Sequence, residues 1–220
     1  MRVAIFDLDG TLVDTSGDML AGANAVFEAE GYGSPLRVAD HAAVAFAGGR
    51  AMLETGAALC GFSWGERYET AYVYFLEAYG GHLDRLSVIY PGVEACLDGL
   101  AADGWRLAVC TNKPSGLAER LLVSLGLRAR FGAMIGADTL AVRKPDPEPL
   151  LEAVRQVGGD PARAVLVGDT ITDRKAAANA GMPCVLVTFG PVGDAVAQMQ
   201  PDGLLGSYGD LPRILNDLVR

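Results

Sequence analysis

The sequence predicts an α/β protein: a doubly wound parallel sheet interrupted once, near its start, by an all-helical insertion. Three observations predict it. Short apolar runs alternate with helical patterns along most of the chain, the mark of a parallel sheet covered by its crossovers. Those runs are almost continuously apolar, as strands buried on both faces must be. One block, residues 15–85, carries helical periodicity and no convincing buried strand.

The elements follow in order. Residues 2–6 form a short apolar run ending in Asp-Leu-Asp-Gly, and RLAVC at 106–110, residues 132–135, AVLV at 164–167 and CVLV at 184–187 repeat it. Between them Val93, Leu97 and Leu100 share a helical face, as do Leu117, Leu121 and Leu125, then Leu150, Val154 and Val157. Gly104, Gly126, Gly158 and Gly181 stand where these helices need a left-handed cap. The Lys144–Pro149 stretch is a proline-punctuated loop entering a helix, and a final helix is expected over 211–219. Within the insertion, Met19, Ala23, Val26 and Phe27 make one stripe, and Tyr68, Tyr72, Phe75, Leu76 and Tyr79 another. Both read as packing. Tyr90-Pro91-Gly92 marks the return to the sheet, so residues 1–14 and 86–220 are assigned to it and 15–85 to a separate helical cap joined by two linkers.

Composition narrows the function. Half of the 220 residues are apolar, a fifth are charged, and the formal net charge is −9. A nucleic-acid binder draws its affinity from a basic stripe, and none exists here. No apolar run approaches the roughly 18 residues that span a bilayer, and six residues before Asp7 are too few for a signal peptide. A cytoplasmic protein, monomeric or homodimeric, is expected. Cys60, Cys96, Cys110 and Cys184 are widely spaced, which predicts reduced thiols, mostly buried, rather than a zinc cluster or disulfide framework. Lys113, Lys144 and Lys175 are the only lysines.

In a doubly wound sheet, ligands bind beyond the carboxyl ends of the strands. The first strand ends on Asp7 and Asp9, the second on Thr111 and Asn112, the third's loop brings Lys144, and the fourth yields Asp169 and Asp173. Two acid pairs, a lysine and a hydroxyl on one edge suit phosphoryl transfer to a carboxylate. A phosphomonoester dianion repels an aspartate nucleophile, so a divalent cation must neutralise both, and Mg²⁺ takes hard oxygen ligands. Asp7 and Asp169 can supply carboxylate oxygens and Asp9 its carbonyl; Asp173 either ligates directly or holds a metal-bound water. Lys144 balances remaining phosphoryl charge, and Thr111 with backbone N–H groups orients the oxygens. Gly10 suggests a tight turn that aims Asp7 and Asp9 independently. Asp7 then attacks phosphorus while Asp9 protonates the leaving alcohol and later deprotonates the hydrolytic water. Read singly, Asp-Gly is a turn, Asp14 a helix cap and Gly-Asp-Thr an N-cap. Lys113 faces either phosphate or solvent, and Lys175 lies on the surface.

Asp-Leu-Asp-Gly-Thr-Leu-Val-Asp at 7–14, Cys-Thr-Asn-Lys at 110–113, Arg-Lys-Pro-Asp-Pro at 143–147 and Val-Gly-Asp-Thr-Ile-Thr-Asp at 167–173 resemble, in order, the four motifs of the haloacid-dehalogenase superfamily. The resemblance spans nearly the whole chain. It implies a Rossmann-like core with a helical cap inserted after the first strand, Mg²⁺ as cofactor and a small phosphorylated metabolite as substrate, with phosphoglycolate phosphatases the most similar branch. Dehalogenases lack an acid at the second position, so Asp9 argues against dehalogenation. Phosphonatases form a Schiff base with a cap lysine, and 15–85 contains none. Phosphomutases of the β-phosphoglucomutase type share both acids and the cap type, and stand as the alternative; a non-catalytic module binding a phosphorylated ligand is a further one.

Substrate choice is expected in the cap, which in this family closes over the core. Its best candidate is Ala45–Met52, where Gly48 and Gly49 let backbone N–H groups approach a ligand and Arg50 clamps a carboxylate or second phosphate. Equally, Gly48-Gly49 is a helix–helix turn and Arg50 a solvated first-turn residue. His41 and His82 read as surface or packing residues.

Overall fold

The computed structural model describes residues 1–190 and 192–219. In chain order the elements are β1 (Val3–Phe6), β2 (Val13–Asp14), α1 (Ser16–Ala29), α2 (Val38–Phe46), α3 (Gly49–Leu59), α4 (Tyr68–Gly80), β3 (Val88–Ile89), α5 (Val93–Ala102), β4 (Arg106–Cys110), α6 (Ser115–Ser124), β5 (Ala133–Ile135), α7 (Glu148–Gln156), β6 (Ala164–Gly168), α8 (Ile171–Ala180), β7 (Cys184–Val187), β8 (Gly203–Leu205) and α9 (Leu211–Leu218). Two compact units result, one from Met1–Val13 with Ile89–Arg220, the other from Asp14–Val88.

The first unit is a Rossmann-like α/β layer structure. Its six strands run parallel in the order β5-β4-β1-β6-β7-β8. The order reverses direction at β1, which pairs with β4 on one side and β6 on the other. That reversal is the switch point at which side chains from several loops can meet. One face of the sheet packs Phe6, Val109 and Val167 against α5, α6 and α9 through Leu97, Leu121 and Leu215. The other packs Ile5, Ala108 and Leu166 against α7 and α8 through Leu150, Val154 and Ala177. All four expected glycine caps adopt positive φ, between 64° and 79°.

Three details differ from the sequence expectation. β8 extends the sheet beyond β7 and had no apolar run to announce it, since Gly-Leu-Leu is an edge strand with Leu204 exposed. In α6 the buried face is Ala118, Leu121 and Leu122, with Leu117, and Leu125 at its end, only half-buried. Two-residue strands β2 and β3, not expected from the sequence, pair with each other.

The second unit is built from four helices. Phe27 of α1 lies against Gly56 of α3 and Tyr79 of α4 against Gly22 of α1, so closely that a Cβ on Gly56 would come within 2.3 Å of the Phe27 ring and one on Gly22 within 2.8 Å of Tyr79. The expected aromatic stripe of α4 is graded: Phe75 and Tyr79 are buried and stack at 5.9 Å, while Tyr68 and Tyr72 are half-buried. Asp14 caps α1 through the Ser16 N–H and hydroxyl. Asp18, unremarked in the sequence, is buried in α1 and accepts from the N–H groups of Leu86 and Ser87 and the Ser87 hydroxyl, pinning the segment that leads into β3.

Candidate active site

Asp7 follows β1 directly, its N–H donating to the Val167 carbonyl so that the strand pairing carries through it. One carboxylate oxygen accepts from the Leu8 N–H at 2.7 Å; the other faces the Lys144 ammonium at 3.1 Å. The chain then folds back on itself, with the Leu8 carbonyl accepting from Leu12 and Val13 and Gly10 at φ 77°. This turn separates Asp9 from Asp7, as expected of the Asp-Leu-Asp-Gly sequence.

Lys144 is buried, and its ammonium donates to the Cys110 carbonyl at 2.7 Å and to Asp173 at 2.7 Å. Burial works against that charge, but the carboxylates of Asp173 and Asp7 outweigh it and hold the ammonium above the ordinary lysine range. The loop carrying Lys144 is tied down by the Asn112 side-chain amide, which donates to the Lys144 carbonyl at 2.9 Å. Asn112, expected to touch substrate, is engaged here in holding the lysine loop.

Asp173 is fully buried and does two jobs at once. It forms a capping box with Thr170 at the start of α8, its second oxygen accepting from the Thr170 hydroxyl at 2.6 Å, while its first takes the Lys144 ammonium. The helix-cap and the chemical reading of this motif thus describe the same residue. Gly168 makes the fit possible: a Cβ there would stand 2.5 Å from Asp173 Cγ.

The carboxylates of Asp7, Asp169 and Asp173 each offer an oxygen, all within 4.8 Å of one another. Burial pushes the Asp7 carboxyl up to about 6, with Lys144 pulling back and Asp173 adding to the rise. Burial, with Asp173 and Asp7 beside it, also drives Asp169 well above the carboxylate range. Three buried acids with one ammonium leave surplus negative charge, and a hard divalent cation is the group that keeps such acids ionised. The all-oxygen donor set fits Mg²⁺.

Asp9 stands outside that trio. Its two oxygens accept from the Lys113 ammonium at 2.8 and 3.1 Å. Lys113 is buried, so of its two expected directions the one toward solvent is corrected: in this structure it faces Asp9. The Thr111 N–H continues the sheet to Ile135, and its hydroxyl oxygen accepts from the Lys113 N–H at 3.2 Å, leaving the hydroxyl proton to be donated elsewhere. Thr11 was missed in the sequence; buried, it donates to Asp169 at 3.1 Å, and its carbonyl accepts from the buried Tyr208 hydroxyl at 2.7 Å. A hydroxyl directly after the Asp-Gly turn was the available signal. Lys175 is exposed, as expected.

The insertion's candidates form no charge cluster of this kind. Gly48, at φ 96°, precedes α3, and Gly49 packs under Tyr72 and Phe75, where a Cβ would come within 2.8 Å of each ring. The Arg50 side chain is 66% exposed, stacks over Tyr68 at 4.4 Å and reaches Glu54 at 3.4 Å.

The family model described as haloacid dehalogenase-like hydrolase matches residues 4–187, from β1 through β7. The chain belongs to this family. It is therefore an enzyme of the hydrolase class, and its likeness to phosphatases runs its full length. It is 38% identical over 219 residues to a phosphoglycolate phosphatase of Agrobacterium fabrum, covering 99% of this chain and 94% of that one. A phosphoglycolate phosphatase of Caulobacter vibrioides is 39% identical over 209 residues, 94% of this chain and 88% of its own. Among solved structures, a predicted phosphoglycolate phosphatase from Haemophilus somnus superposes with a TM-score of 0.84 at 26% identity, covering 97% of each chain. Among the described residues, no helix is long and apolar enough to cross a membrane.

Proposed function

We propose that this haloacid dehalogenase-like hydrolase is a Mg²⁺-dependent phosphatase acting on a small phosphate ester in the cytoplasm, with phosphoglycolate the favoured substrate. The observation that carries the reading is the buried trio Asp7, Asp169 and Asp173 answered by Lys144 at the switch point of the sheet. The relatives named phosphoglycolate phosphatase support the substrate.

Asp7, Asp169 and Asp173 would hold the cation together with the Asp9 carbonyl. Both Asp173 oxygens already accept hydrogen bonds, from Lys144 on one side and Thr170 on the other, which favours contact through water. When bound, Mg²⁺ neutralises the charge between the phosphoryl dianion and the attacking carboxylate. The protein's own part is positional. Leu8 N–H fixes the Asp7 carboxylate for attack on phosphorus, forming an aspartyl-phosphate as the ester oxygen leaves. Lys144 meets the charge on the transferring oxygens and the Thr111 hydroxyl donates to one of them. Asp9 gives its proton to the leaving oxygen, then takes one from the water that cleaves the acyl phosphate. Substrate choice is assigned to the helical unit, with Gly48, Gly49 and Arg50 as its candidates.

Asp7→Asn tests the nucleophile. Turnover of phosphoglycolate should fall by about 10⁴-fold or more, as when a covalent nucleophile is removed. Mg²⁺-dependent phosphate release surviving in this variant would refute the assignment.

A further inference from the structure

Lys113 is a buried ion-paired group that the reaction above does not use. Its side chain is 3% exposed, and its ammonium bridges both oxygens of Asp9. The two residues lie on the loops after β4 and β1, which are neighbours in the sheet. Lys113 is one of three lysines in the chain. Lys175 is exposed and Lys144 is committed to Asp7 and Asp173, so Lys113 is the second of two buried in the same region.

An ammonium that bridges both oxygens of a carboxylate fixes where that carboxylate points. That matters here because Asp9 is only two residues from Asp7, whose own carboxylate gathers with Asp169 and Asp173. A carboxylate at Asp9 free to turn would be drawn toward any cation held by those three. It would then be a ligand and no longer a proton carrier.

We propose that Lys113 is a positioning residue for Asp9, holding its carboxylate apart from the cation-holding acids and in place for proton transfer to the leaving oxygen. The proposal rests on the phosphatase reading. Lys113 touches neither phosphorus nor cation in this scheme; it acts through Asp9.

The test compares two esters and two backgrounds in the full chain with Mg²⁺. Lys113→Met should lower kcat on an alkyl phosphate by about 10- to 100-fold with KM changed less than about twofold, a loss of the size that proton transfer supplies. On p-nitrophenyl phosphate, whose leaving group needs no proton, the loss should stay under about threefold. In an Asp9→Asn background, Lys113→Met should cost nothing further, because residues acting as a unit do not add. Lys113→Arg, which keeps a two-oxygen contact, should recover much of the loss. Acetic anhydride acylation read by mass spectrometry needs no active enzyme: Lys113 should react far more slowly than Lys175, and faster in Asp9→Asn. Equal losses on both esters, additive losses in Asp9→Asn, or a raised KM with kcat intact would each overturn the role. Fast acylation of wild-type Lys113 would overturn it even with normal phosphate release. Slow acylation in a wild-type chain that releases no phosphate from any ester would instead sink the phosphatase reading, and the positioning role with it.

Discussion

The sheet edge beyond β1 and the α2–α3 turn each hold candidate residues, but they answer charge in opposite ways. At the sheet edge the charged side chains are buried or half-buried and held by partners: Lys144 by Asp7 and Asp173, Lys113 by Asp9, and Asp169 by the Thr11 hydroxyl, with negative charge in surplus. At the turn, Arg50 lies open to solvent over Tyr68 and beside Glu54. Burial makes a charge costly unless its partner is present, so the first arrangement persists only while all of its members do. An exposed pair is worth little and can be changed freely. Under the proposed function, the first region carries the chemistry and the second bears on selectivity alone.

Lys144→Met should break that contrast most severely. It removes the counter-charge that, among the described residues, stands against both Asp7 and Asp173, leaving two buried acids uncompensated. Stability should drop by about 3–5 kcal/mol, the size seen when one partner of a buried pair is lost. Phosphate release should fall by about 10³-fold or more. A urea melt displaced by less than about 1 kcal/mol would show that Lys144 is not the counter-ion its distances suggest.

Gly168→Ala tests the packing beneath the same edge. The added methyl would stand 2.5 Å from Asp173 Cγ, and overpacking of this kind costs about 1–3 kcal/mol. Because Asp173 would have to move, Mg²⁺ affinity should weaken along with stability. Unaltered affinity, measured by calorimetry, would separate Asp173 from the cation.

A third effect follows from acidity. With its folded-state pKa raised to about 6 from 3.8, Asp7 holds a proton that the unfolded chain has already shed. Through this group the cation-free protein therefore loses stability as pH rises from about 4 to 6. A cation must displace that proton, so Mg²⁺ affinity should fall as pH drops through about 6, by about tenfold per pH unit for each proton displaced. A dissociation constant unchanged between pH 5 and 7 would contradict a cation on Asp7.

Much of this was legible in sequence because a parallel sheet turns order along the chain into position along an edge. Polar residues placed directly after apolar runs could meet only beyond the strand ends, and Asp7, Lys144, Asp169 and Asp173 do meet there. Partners that depend on side-chain reach across loops were not legible. Lys113 could be read toward phosphate or solvent, and its buried pairing with Asp9 was not foreseen; Thr11 looked like one more residue of a turn. Asn112 is on the right loop but spends its amide on the Lys144 carbonyl. Strand β8 escaped because three residues at a sheet edge, one of them glycine and one exposed, carry no buried pattern.

The smallest expected effect belongs to Arg50, and it sharpens the comparison from the other side. Its side chain is mostly exposed and its partners are an i,i+4 glutamate and a ring face, so Arg50→Ala should shift stability by less than about 0.5–1 kcal/mol. Any role it has must then show in selectivity alone. If it clamps a second anion, KM should rise about tenfold or more for phosphoglycolate while p-nitrophenyl phosphate, with no second anion, is turned over as before. A loss shared equally by both substrates would take Arg50 out of recognition. The guanidinium would then be a solvated residue of the first turn of α3, and Gly49 beside it a contact for Tyr72 and Phe75.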